Sequence, residues 1–173
     1  MKKTAALFDC DGTLYAAQFG RGLMAYAKNH GRKGAVRAYY ASIFFPYILG
    51  KFGLLKPEKS HRPLISHMAK LIQGLSKKEA DKEFDWILQN YLLPTQRTDV
   101  ISRLHDHQTQ GHAVVLVSGV LAPALARIAQ FFGASGFVGT HVEVRNSQYT
   151  GRIIPPVITG EDTAPFIAGT IAR

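Results

Sequence analysis

Apolar positions along the chain follow two rhythms. The run Ala5-Ala6-Leu7-Phe8 is short, continuous and cut off by Asp9-Cys10-Asp11-Gly12, which reads as a buried strand whose carboxyl end opens into a loop. From 15 to 93 no strand-like alternation occurs, and the spacing predicts helices over 18–29 (ended by Gly31), 35–49 and 57–73 (ended by Gly74). A fourth helix opens at Ser76-Lys77-Lys78-Glu79, is apolar at Phe84, Ile87, Leu88 and Tyr91, and is closed by Pro94. Its opening has the spacing of a capping box, in which hydroxyl and carboxylate each satisfy a free amide.

The second half returns to strands. A helix is expected over 98–110, stopped by Gly111, and is followed by the apolar run 112–117, the form taken by a central parallel strand covered on both faces. That strand is expected to end at Ser118-Gly119, with a helix over 123–132 stopped by Gly133. A third strand over 136–140 follows, and then a hairpin of 142–144 with 149–154 across Arg145-Asn146-Ser147-Gln148.

Composition narrows the class. A chain of 173 residues, 46% hydrophobic and 19% charged, can bury a sizeable core, so one globular unit with an inserted subdomain is expected and disorder is not. The single Cys10 excludes an internal disulfide and fits a reducing cytoplasm. No secretory leader is read at Met1-Lys2-Lys3, because two Asp residues arrive too early. The most apolar stretch, 38–49, is interrupted by Pro46 and Gly50-Lys51 and is shorter than the roughly 20 residues of a membrane span. It reads as a buried helix, a substrate-facing aromatic wall or an interfacial helix beside Arg32, Lys33 and Arg37; peripheral membrane contact stays open. The net charge of +9 favours anionic partners without choosing among phosphoesters, lipid headgroups and nucleic acid. The cations are dispersed, so no specific nucleic-acid site is expected. His61, His67, His105, His107 and His112 have no Cys companions and read as solvated or locally bonded groups, not as a metal centre.

The chemistry concentrates at Asp9 and Asp11. Two carboxylates one residue apart at a strand's carboxyl end can divide labour. One, ionised beside a divalent cation, attacks phosphorus; the other, partly protonated in the like-charge neighbourhood, gives a proton to the leaving oxygen. Asp9 is the expected nucleophile and Asp11 the expected acid/base, with Gly12 supplying the turn and the Thr13 hydroxyl orienting a neighbouring group or binding phosphate. A hydrogen-bonded turn or part of a calcium loop would use the same residues. At the second predicted strand end, the Ser118 hydroxyl and Gly119 N–H would meet phosphate oxygens at a strand-to-helix junction, although a serine there can also be a plain turn residue.

Asp9-Cys10-Asp11-Gly12-Thr13-Leu14 after Ala5-Ala6-Leu7-Phe8 resembles motif I (DxDGT) of the haloacid dehalogenase-like hydrolases, and Val117-Ser118-Gly119-Val120 resembles their motif II as used by the phosphoserine-phosphatase-like branch, subfamily IB. The hairpin region with Tyr149-Thr150-Gly151-Arg152-Ile153 and Pro155-Pro156 is similar too, so the likeness runs from Thr4 to about Asp162. It implies an α/β core with a Rossmann-like parallel sheet, formed by 1–14 and 96–173, and an all-helical C1-type cap over 15–95. The activity implied is Mg2+-dependent hydrolysis of a small-molecule phosphomonoester through an aspartyl phosphate, with Asp9 and Asp11 also holding the metal.

Two further elements that the resemblance implies are not recognisable. Thr163 stands where the branch usually places a Lys, and the acidic loop that completes the magnesium site would lie beyond Arg173, with Glu161 and Asp162 as conceivable stand-ins. The C-terminal core strands are therefore expected to be missing, which leaves the first strand with an unpaired edge. Two other readings follow: a catalytically inactive, truncated protein that binds phosphorylated ligands, and a basic nucleic-acid or membrane-surface binder. Substrate identity and oligomeric state are left open.

Overall fold

A computed structural model of the chain describes residues 4–37, 39–41, 44 and 62–158, with the backbone alone at 62–64. The expectations for 45–61 and for 159–173, including Glu161, Asp162 and Thr163, lie outside the described residues.

Four strands form one sheet in the order β1 (Ala5–Phe8), β2 (Ala113–Leu121), β3 (Gly136–Arg145), β4 (Gln148–Ile154). The first three are parallel, with Phe8 level with Leu116 and Val117 level with Val138; β4 runs antiparallel to β3. Parallel neighbours need long crossovers, and helices supply them. Between β1 and β2 lie α1 (Phe19–Asn29), further helical residues at 33–37 and 39–41, α2 (Arg62–Leu71), α3 (Lys77–Ile87) and α4 (Thr98–Thr109). Between β2 and β3 lies α5 (Ala122–Phe131). This is an α/β, Rossmann-like, mostly parallel sheet, as the sequence implies.

Several local expectations hold for the reasons given. Gln18 is the residue before α1, and Gly31 and Gly111 take φ of 75° and 71° just past their helices. Both halves of the capping box are present, Ser76 Oγ accepting from the Glu79 amide while the Glu79 carboxylate accepts from the Ser76 amide at 2.8 Å. The hairpin turn is Asn146-Ser147 with φ of 50° and 62°, the left-handed pair whose twist suits a two-residue connection.

Three boundaries differ. The helix opened by Ser76 leaves α geometry at Leu88, continuing as a π turn over Leu88–Leu92 and a 3₁₀ turn over Leu93–Thr95, where Pro94 has no amide proton to continue the ladder. β2 runs on to Leu121, because two extra residues bulge between Val117 and Leu121: those four steps match only two on β3, from Val138 to Thr140. The separate strands expected over 136–140 and 142–144 are one strand, β3, which pairs with β2 along its first half and with β4 along its second.

The main core cluster runs across these layers, and Val115, Val138 and Ile158 form a second, smaller one. Leu14, Tyr15, Phe19, Phe84, Ile87 and Leu92 pack into the same cluster as Leu104, Leu116 and Leu125, and burying side chains of this size favours folding by about 1.5–3 kcal/mol each. The chain leaves the sheet at Leu14–Ala16 and returns at Thr95–Arg97 side by side: the Ala16 amide donates to the Thr95 carbonyl and the Arg97 amide to that of Leu14, both at 2.9 Å. The helical segment is also tied to the hairpin, since the Gly74 amide donates to the Tyr149 carbonyl at 2.8 Å and the Tyr149 amide to that of Leu75 at 2.9 Å. No strand pairs with the outer edge of β1 among the described residues, where Leu7 is 47% exposed.

Candidate active site

The carboxyl ends of β1 and β2 are neighbours, and adjacent strands lie about 4.8 Å apart. Asp9 is one residue, and Ser118 two residues, beyond the rung that joins Phe8 to Leu116. The topology thus brings both predicted clusters to one end of one strand pair, the place where open α/β sheets receive ligands.

The loop after β1 is held from beneath. The amides of Thr13, Leu14 and Tyr15 all donate to the Cys10 carbonyl, at 3.1, 2.9 and 3.3 Å, while the Cys10 side chain is fully buried. Burial, reinforced by the neighbouring Asp charges, raises the Cys10 thiol pKa well above its usual value, so this sulfur is a neutral packing group. Gly12 has φ of 80°, which a side chain would strain. The loop therefore presents its two carboxylates from a fixed backbone.

Their environments differ. Asp9 is exposed, and one of its oxygens, Oδ2, accepts from the Thr13 hydroxyl at 3.0 Å. Asp11 is half-buried, and its Oδ1 accepts from the Phe19 amide at 2.9 Å, at the N-terminus of α1. Burial pushes the Asp11 carboxyl up to about 6, with a smaller contribution from the Asp9 charge and an opposing one from the Phe19 N–H.

Ser118 is 6% exposed, and its hydroxyl makes no hydrogen bond among the described residues. It lies within the bulge of β2, three residues short of the strand's end, which corrects the expectation of a strand-to-helix junction: α5 begins only at Ala122. The Ser118 and Gly119 amides therefore belong to a strand at a register shift, not to the first turn of a helix. Gly119 is closely approached. A Cβ there would lie 3.0 Å from Ile65 Cδ1 and 3.2 Å from the Ile158 carbonyl oxygen.

Several groups around the site carry no motif. Arg97 donates to the Gly12 carbonyl at 3.3 Å, at the point where the chain returns from its helical segment. The buried Thr140 hydroxyl accepts from the Ile158 amide at 3.1 Å, bringing 158 beside Gly119. A threonine inside an apolar strand was the only signal available for the second contact. The first had none. Thr13, read from sequence as an orienting or phosphate-binding hydroxyl, rests on Asp9. His107 and His112 face each other with their Nδ1 atoms 2.9 Å apart, and no group of three His, Cys, Asp or Glu that could hold a metal ion occurs among the described residues.

A family model for haloacid dehalogenase-like hydrolases matches residues 6–173, and the chain belongs to that family. Among curated proteins it is 28% identical to the phosphoserine phosphatase SerB1 and to a putative hydrolase, both of Mycobacterium tuberculosis, over 98% of this chain and 54% of theirs. The chain therefore spans about half the length of the curated relatives it matches. Among solved structures, a Bordetella pertussis protein of unknown function superposes with a TM-score of 0.79 at 21% identity, covering 99% of this chain and 75% of that one. A substrate-bound phosphoserine phosphatase superposes with a TM-score of 0.61 at 19% identity, covering 99% and 71%. At these identities the structural likeness speaks to the fold.

Proposed function

We propose that this chain hydrolyses a small phosphomonoester, with Asp9 as the nucleophile. The single observation that carries the reading is the unequal pair on one loop: Asp9 exposed and oriented by Thr13, Asp11 half-buried with its carboxyl pushed up to about 6. Asp9 attacks phosphorus in line, giving an aspartyl phosphate. Asp11 protonates the leaving oxygen and then takes a proton from the water that releases phosphate. The Ser118 hydroxyl and Gly119 N–H donate to phosphoryl oxygens, with Thr13 completing the phosphate site as well as positioning Asp9.

Mg2+ is the cofactor proposed. An exposed carboxylate with one oxygen uncommitted, beside the Asp11 main chain, is the kind of oxygen donor set a hard cation takes together with waters and a substrate phosphate. Asp9 and Asp11 would hold it, and it would neutralise phosphate charge. Residues 15–95 serve as the cap that carries substrate selection, supported by their departure and return on the adjacent backbone bonds of Leu14–Ala16 and Thr95–Arg97. Cytoplasmic residence is supported by the lone, buried Cys10. No helix among the described residues is long and apolar enough to cross a membrane.

A second reading, binding of phosphorylated ligands without turnover, draws on Thr163 standing where the resemblance implies a Lys. Hydrolysis of p-nitrophenyl phosphate with Mg2+, beside Asp9→Asn, separates the two. Phosphate release that falls to background in the variant supports the hydrolase. Phosphate binding with no release by the wild type supports the binder.

A further inference from the structure

The chain carries no Asp or Glu between Asp11 and Glu58, a stretch that holds seven Lys or Arg. One of them, Arg32, turns inward onto Glu83 and the Leu71 carbonyl. Four others, Arg21, Lys28, Lys33 and Arg37, are exposed and line one cleft of about 520 Å³ between α1 and the helical residues that follow it. None of the four makes an ion pair among the described residues. Unpaired like charges gathered along one cleft repel one another, and an anionic partner relieves that repulsion.

The cleft is also apolar. Between the cations it is lined by Met24, Ala25, Val36 and Tyr40. Helical spacing explains the arrangement: Arg21, Met24, Ala25 and Lys28 lie on one face of α1, while Phe19, Leu23 and Ala27 on another face are buried in the core. Tyr40 is 57% exposed and Phe44, one turn further on, is 62% exposed. Cations flanking an aliphatic strip with exposed aromatics at its end are the pattern of a surface that meets phosphate headgroups while its apolar groups enter the acyl boundary. Single-stranded nucleic acid would also be drawn by the charge, but it binds through successive aromatic platforms, and the strip here is mainly aliphatic.

We propose that this cleft docks the protein on anionic phospholipid at a membrane surface. The proposal does not depend on the catalytic reading. Arg21 of the cleft follows Phe19, whose amide binds Asp11, by two residues along α1.

Vesicle co-sedimentation of the full chain tests it, using phosphatidylcholine alone and phosphatidylcholine mixed with phosphatidylglycerol. Binding is expected to the mixed vesicles and not to the neutral ones. Each cation near an anionic surface changes affinity about fivefold, so Arg21→Gln/Lys28→Gln should weaken binding about 25-fold. The control Arg103→Gln/Arg152→Gln, with the same change in net charge at exposed positions outside the cleft, should change it less than threefold. Tyr40→Ser should leave low-salt binding and make it dissociate at lower salt than the wild type. The proposal is overturned by no binding to mixed vesicles, by equal losses in the two charge variants, or by tighter binding to single-stranded RNA than to the vesicles.

Discussion

The amide of Phe19 donates to Asp11 Oδ1 at 2.9 Å, so the second carboxylate of the loop is fixed by the first turn of α1 and not by its neighbour Asp9. An anion there also meets the positive end of the helix, yet burial outweighs both effects and lifts the carboxyl to about 6. In the proposed role of proton donor, Asp11 loses its proton as pH rises through that value. With an alkyl phosphate, whose leaving oxygen needs a proton, kcat/KM should fall above about pH 6. Asp11→Asn should lower the rate by about 100- to 10,000-fold. With p-nitrophenyl phosphate, whose leaving group needs little help, the loss should be much smaller; equal losses on the two substrates would remove Asp11 from the acid role.

A side chain at Gly119 is expected to be destabilising. The Ile65 methyl, 3.0 Å from where a Cβ would stand, can rotate away, but the Ile158 carbonyl at 3.2 Å belongs to a backbone held by Thr140. Gly119→Ala should cost about 1–2 kcal/mol through overpacking. Thermal unfolding should show this as a midpoint lowered by roughly 2–8 °C.

Arg127 and Asp85 form a two-pronged ion pair, Nε to Oδ1 at 2.8 Å and Nη2 to Oδ2 at 2.6 Å, which ties α5 beside the sheet to α3 in the helical segment. Both side chains are more than a third exposed, so solvent screens the attraction. A double-mutant cycle with Arg127→Ala and Asp85→Ala in urea should give a coupling of about 0.5–1 kcal/mol. A value above about 2 kcal/mol would mean that the pair is far better shielded than its exposure implies.

Glu83 is buried in the helical segment, with Oε2 accepting from Arg32 at 2.8 Å and Oε1 unpartnered among the described residues. Burial pushes its carboxyl up to about 7, against the smaller opposing pull of Arg32. A raised carboxyl pKa means that the folded state holds the proton where the unfolded chain has lost it. Stability therefore falls as pH rises from about 4.5 to about 7 and levels off above. Glu83→Gln should remove this part of the slope, measured by urea unfolding at about pH 5 and about pH 8. An unchanged slope would show that Glu83 stays ionised throughout.

What the sequence determined by itself was local. The Asp9–Thr13 loop after an apolar strand, the Ser76–Glu79 box, the Asn146-Ser147 turn and the alternation of strand and helix follow from backbone conformation and hydrogen bonds between near neighbours, and such forces leave a pattern in residue order. The α/β class was implied by the resemblance carried by Asp9–Leu14 and Val117–Val120. What only the tertiary structure decided were contacts between residues far apart in the chain. The slip that carries β2 past Ser118 to Leu121 depends on pairing with β3, and β3 is one strand because β2 and β4 claim its two halves. Arg127 reaches Asp85, Arg32 reaches Glu83, and Gly119 meets Ile158 only after the layers close, since burial and distance are properties of the packed chain and no local spacing encodes them.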